Sequence, residues 1–165
     1  MFVDNPQLLF TIKESPTHSN GRFLCEVRGV AMLDKYLCVV YFEYDKVQVF
    51  DGEDRFKKIK EIQVNGISYP YDMVGCSVTS QLFISDWVGD GNIFRVNVNT
   101  GHCDVFIRLG YKYATLSLVE NRLLVKSDDS LLMYDIHSGQ VMKKIPYKGD
   151  LKKHGVWHAI ESNKD

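Results

Sequence analysis

Apolar and polar positions follow one another in short runs along most of this chain, and no stretch of useful length repeats at the helical period. Strict alternation over about 4–8 residues predicts a half-buried strand, and a continuous apolar run of that length between turns predicts a strand buried on both faces. The chain therefore reads as all-β.

The runs recur on one plan. Three segments carry it, from Gly29 to Val64, from Tyr71 to Leu109 and from Tyr113 to Tyr147. In each, a leucine (Leu37, Leu82, Leu123) heads an apolar run that follows a short polar turn (Asp34-Lys35, Thr79-Ser80, Glu120-Asn121), and these leucines lie 45 and 41 residues apart. Repeats of about 40–50 residues are those of β-propeller blades. Four strands are predicted per repeat. The first is short and mixed (Asp72–Cys76, Ala114–Leu118). The second is the apolar run (Leu37–Phe42, Leu82–Ile84, Leu123–Val125), and the third alternates (Val47, Val49; Ile93 to Val96; Leu131, Met133). Turn signals follow at Asp51-Gly52, Asn99-Thr100-Gly101 and His137-Ser138-Gly139. The fourth strand (Phe56–Val64, Asp104–Leu109, Gln140–Pro146) carries more charge, as an outer edge should.

A single four-stranded sheet cannot bury both faces, whereas radial stacking lets each sheet cover its neighbour. A β-sandwich also accommodates many short strands, but the internal period favours the propeller. The predicted organisation is the end of a preceding blade and a linker over 1–28, with a strand at 8–12, then blade-like repeats over 29–70, 71–112 and 113–152. The start of a further blade follows over 153–165, at Val156–Ile160. Closed propellers have at least about four blades. The expectation is thus an incomplete propeller, a fragment or truncated product, that closes its ring by self-association or with remaining blades.

The most specific text is in the second repeat. Leu82-Phe83-Ile84-Ser85-Asp86-Trp87, followed by Asn92-Ile93-Phe94-Arg95-Val96, resembles the second and third strands of NHL-type propeller repeats. It is similar, more weakly, to the YWTD repeats of lipoprotein-receptor propellers. The third repeat keeps an Asp in Val125-Lys126-Ser127-Asp128 without the following Asn or Arg, and the first departs further at Tyr41-Phe42-Glu43-Tyr44. The resemblance implies a divergent propeller nearest the NHL type. It also implies that the connections between repeats share one face, where partners of such propellers bind.

Composition narrows the function classes. Twenty basic and 21 acidic residues leave a net charge of −1. The densest basic runs, Lys57-Lys58, Lys143-Lys144 and Lys152-Lys153, are short and read as solvated charge, so no nucleic-acid partner is expected. Neither a signal peptide, an apolar stretch near the ~20 residues of a membrane helix, nor an N-x-S/T sequon is visible, which predicts a cytoplasmic protein without a membrane partner. Cys25, Cys38, Cys76 and Cys103 form no C-x-x-C pair and sit in or beside apolar runs, the pattern of reduced core thiols.

Chemistry-bearing constellations are few. His154 and His158 have zinc-pair spacing, but Gly155 stands where a zincin places its Glu. Asp86, Asp90 and Asn92 surround Gly89 and Gly91 and read as hairpin-turn chemistry, matched by Asp128-Asp129 in the third repeat. No P-loop, nucleophile elbow or dinucleotide fingerprint is present, and no catalytic residue, metal or cofactor is predicted. The segments Tyr69-Pro70-Tyr71-Asp72 and Leu109-Gly110-Tyr111-Lys112-Tyr113 occupy equivalent connections between repeats. Tyrosines there can pack on a neighbouring blade, but Tyr with Lys, Arg and Asp is also interface material. The candidate partner-binding residues are Tyr69, Tyr71, Asp72, Arg108, Tyr111, Lys112 and Tyr113. The sequence thus predicts a non-catalytic module that binds a protein or peptide. The alternatives are a metal-dependent, lactonase-like propeller hydrolase and the propeller part of an NHL-type ubiquitin ligase.

Overall fold

The computed structural model describes residues 26–88, 91–112, 114–127 and 130–146. Twelve strands run through them, and none of the described residues is helical. The first antiparallel sheet joins β1 (Val27–Leu33), β2 (Tyr36–Tyr41), β3 (Lys46–Asp51) and β4 (Lys57–Gln63) in that order. The second joins β5 (Pro70–Cys76), β6 (Gln81–Asp86), β7 (Asn92–Asn97) and β8 (Cys103–Arg108). The third joins β9 (Thr115–Val119), β10 (Arg122–Lys126), β11 (Ser130–Asp135) and β12 (Val141–Pro146). These are three propeller blades. Their first strands are innermost, with β1 packed beside β5 and β5 beside β9. The first blade starts at Val27, two residues before the predicted repeat boundary.

Register explains why the second strand of each blade is apolar throughout. Leu37 pairs with Met32 and Phe50, Leu82 with Gly75 and Val96, and Leu123 with Leu118 and Tyr134, so the three leucines are structurally equivalent. Their side chains point back along the row of blades, and those of the next residues, Cys38, Phe83 and Leu124, point forward. Cys38 and Leu82 accordingly meet in the core between blades one and two, and Phe83 and Leu123 in the core between blades two and three. A strand with a neighbour on each side has no polar face to offer.

The inner strands approach closely. A Cβ on Gly75 would stand 3.2 Å from that of Ala31 and 3.0 Å from Leu33 Cδ2, so a larger residue would push β1 and β5 apart.

The blades share turn chemistry as well as strands. At the end of each third strand an Asx side chain caps the turn. Asp51 accepts from the Glu53 amide at 2.9 Å, Asn97 from Asn99 and Thr100 at 3.0 and 2.9 Å, and Asp135 from His137 and Ser138 at 3.1 and 2.8 Å. This is the Asx-turn mechanism. The same end of each blade is tied by Gly52 N–H to Lys35 C=O, Val98 N–H to Ser80 C=O, and Ile136 N–H to Asn121 C=O.

The three described cysteines lie where the pattern placed them. Cys38 and Cys76 are buried and Cys103 half-buried, all as free thiols, and Cys25 lies outside the described residues. Burial pushes the Cys38 thiol up to about 12. Among the described residues, no helix is long and apolar enough to cross a membrane.

Candidate functional site

The β2–β3 turn (42–45), the described residues of the β6–β7 turn (Trp87, Val88 and Gly91) and those of the inter-blade connections (64–69, 109–112 and Ala114) lie at the end opposite the Asx-capped turns. Asp86 fixes this end of the second blade. It is buried, and its carboxylate accepts from the amides of Tyr69 at 2.9 Å and of Ser68 and Val88 at 3.4 Å. Trp87 N–H donates to Tyr69 C=O at 2.9 Å, and in the first blade Phe42 N–H donates to Glu26 C=O at the same distance. Phe42 and Trp87 are therefore equivalent, each the residue that follows its apolar strand. Their ring centroids are 5.7 Å apart, and Tyr69 stands 5.2 Å from Phe42.

A second equivalence adds a cation. The pairing of β1 with β2 skips a residue between Val27 and Gly29, and that of β5 with β6 skips one between Pro70 and Asp72. The extra residues are Arg28 and Tyr71. A bulge of this kind bends its strand and re-aims a side chain. At the first bulge the guanidinium lies 4.8 Å from the Phe42 ring centroid and 5.9 Å from that of Trp87. Cation–ring contacts of this kind contribute about 0.5–1 kcal/mol when exposed and more when desolvated. Arg28 also pairs with Glu26 at 2.7 Å; the Arg28 side chain is 25% exposed and that of Glu26 54%. Arg28 Nε is buried and has no hydrogen-bond partner.

The predicted residues divide around the β6–β7 turn. Tyr69 belongs to the aromatic cluster, and Tyr71 is the half-buried residue of the second bulge. Asp72 serves the fold. One of its carboxylate oxygens accepts from its neighbour Met73 N–H and the other from Leu116 N–H, both at 2.8 Å. On the far side of the turn, Arg108 is exposed at the end of β8, opposite Asn92. Lys112 is exposed in the connection that follows β8. The Tyr111 carbonyl lies against Gly91, whose φ of +63° and lack of a side chain permit the approach. Tyr113 lies outside the described residues, as do Gly89, Asp90, Asp128, Asp129, His154 and His158. No group of three or more His, Cys, Asp or Glu among the described residues could hold a metal ion.

Sequence reasoning passes over Arg28, Phe42 and Trp87 as binding residues. Phe42 and Trp87 stand five residues after Leu37 and Leu82, so the repeat alignment carries a signal for the rings. Nothing comparable marks Arg28, which precedes the predicted repeat. In comparisons with known proteins, the chain matches no protein-family model and no curated protein.

Proposed function

We propose that this chain is a non-catalytic β-propeller module of NHL-like type that binds a protein or peptide on the loop face carrying Arg28, Phe42, Tyr69 and Trp87. The observation that carries this reading is the convergence of three aromatic rings and one guanidinium close to two of them, from two blades and the connection between them. Aromatic and arginine anchors dominate interface energies, and loops on a rigid scaffold are where propellers present them. Arg108, at the end of β8, and Lys112, in the connection that follows it, lie at the same end of the blades. Near-neutral overall charge suits a protein partner better than a polyanion. A cytoplasmic setting belongs to the proposal, because the buried free thiols Cys38 and Cys76 suit a reducing compartment.

The test is positional crosslinking. A photo-crosslinking residue replaces Val88, which is 42% exposed beside Trp87, or Val78, which is 86% exposed at the opposite end of the same blade. The proposal requires crosslinked adducts from position 88, their absence from position 78, and their loss in Trp87→Ala. Equal labelling from the two positions would refute it.

A further inference from the structure

We infer that the loop face recognises a carboxylate on its peptide or protein partner, with Arg28 as the residue that reads it and Glu26 as the internal group that the partner displaces. This rests on the loop face being the binding surface, as proposed above.

Blade architecture does not require an arginine at this position. The equivalent bulge of the second blade holds Tyr71, and the equivalent position before β9 holds the buried Ala114. What the first blade gains is a guanidinium held over Phe42, 4.8 Å from its ring centroid, and within 5.9 Å of that of Trp87 in the free protein. A long side chain ordered in advance loses less freedom on binding. The guanidinium is also under-used. It carries five N–H donors. Its ion-pair partner among the described residues is Glu26 alone, and its buried Nε has none. An orphaned donor in a folded protein calls for an explanation, and a binding site in need of its ligand supplies one.

The Glu26 pair is weak competition, because the Glu26 side chain is exposed and screening erodes an ion pair open to water. A partner that lays an apolar group on Trp87 and the exposed Val88 removes water from around Arg28, and the pair that Arg28 makes with that partner's carboxylate is then stronger than one made in water. Glu26 is left free to turn into solvent. The surroundings favour a single negative charge over a phosphate dianion, since Glu43 and Asp45 are exposed on the adjoining β2–β3 turn.

The probe is a library of short random peptides, selected on the full chain and on its Arg28→Gln, Glu26→Gln and Trp87→Ala variants, with thermal melts to confirm that each is folded. The wild type is expected to select Asp or Glu at one fixed position beside an aromatic or apolar residue. Arg28→Gln should weaken such a peptide about tenfold or more and equalise it with its Asn or Gln analogue. Glu26→Gln should tighten it. Acid preference that persists in Arg28→Gln, or acidic binding unchanged by Glu26→Gln, overturns the inference. Selected peptides that need Trp87 but show no acid preference overturn the carboxylate assignment and leave the loop-face reading standing. If no peptide depends on Trp87, both fall. Acetate that competes as well as the peptide would transfer the carboxylate to a small free acid and overturn the peptide assignment.

Discussion

The carboxylate of Asp72, at the start of the inner strand of the second blade, accepts a 2.8 Å hydrogen bond from the Leu116 amide on the inner strand of the third. It joins the inner strands of two neighbouring blades. An inner strand has no further strand beside it, so its outward amides need partners, and Asp72 supplies one while also accepting from Met73. Asp72→Ala should leave both amides to find other acceptors and cost about 1–3 kcal/mol of stability, measured by urea unfolding. Asp72→Asn, which keeps one carbonyl acceptor, should cost less. Equal stability of the alanine variant and the wild type would show that the inter-blade bond contributes nothing.

Two glycines in one neighbourhood should respond differently to the same change. Gly91 (φ +63°) faces the Tyr111 carbonyl with no room for a methyl group, whereas Gly110 (φ +74°) has open space around it. A left-handed conformation costs a non-glycine residue roughly 1–2 kcal/mol. Gly110→Ala should lose about that amount. Gly91→Ala should lose clearly more, because a backbone carbonyl cannot rotate away as a side chain can. The paired melting temperatures check this, and a smaller loss at Gly91 would contradict the packing described for the β6–β7 turn.

Much of this architecture is legible in the sequence because its signal is periodic. Leu37, Leu82 and Leu123 recur, and each brings its turns and neighbouring strands with it. The Asp51, Asn97 and Asp135 turns are readable from local chemistry alone. The site is less legible. Tyr69 stands out by its place between repeats and does join the aromatic cluster. Asp72 falls in the same segment, yet its partner Leu116 lies 44 residues away, a distance that no local pattern spans. Arg28 is hidden for another reason. A bulge shifts one residue out of the two-residue period, and periodicity is what the strand reading relies on.

Alkaline pH should expose the inter-blade core. The Cys38 thiol is pushed up to about 12 by burial, against an ordinary value of 9.0, with the Lys60 charge opposing the rise. Because the folded value is raised, its contribution to stability is fully present below pH 9 and is lost as pH rises towards 12. Ionisation of the unfolded thiol alone would remove about 2 kcal/mol by pH 10.5. Tyr44, raised to about 12 by burial and then by Glu61, acts in the same direction. Cys38→Ala should be less stable than wild type at pH 8 but should lose less on going to pH 10.5. Parallel stability curves for the two proteins would refute the assignment to Cys38.

The outer edge of the third blade makes a last prediction. All six residues of β12 are exposed, and three of them, Val141, Met142 and Ile145, are large and apolar. Among the described strands β12 pairs with β11 alone, and an outer edge of this composition is a template for another strand. Lys143 and Lys144 interrupt it, and Pro146 lacks an amide to offer at its end. Antiparallel pairing of two such edges centred on the lysines would set like charges against each other. Replacing both lysines with threonine keeps the strand propensity and removes the charge. The double variant should unfold at nearly the wild-type temperature when dilute, yet form larger species with rising concentration in light scattering. High salt should promote the same association in the wild type, since screening weakens the lysine repulsion. If the double variant remains as dispersed as the wild type, protection of this edge lies in the proline and the twist of the sheet rather than in Lys143 and Lys144.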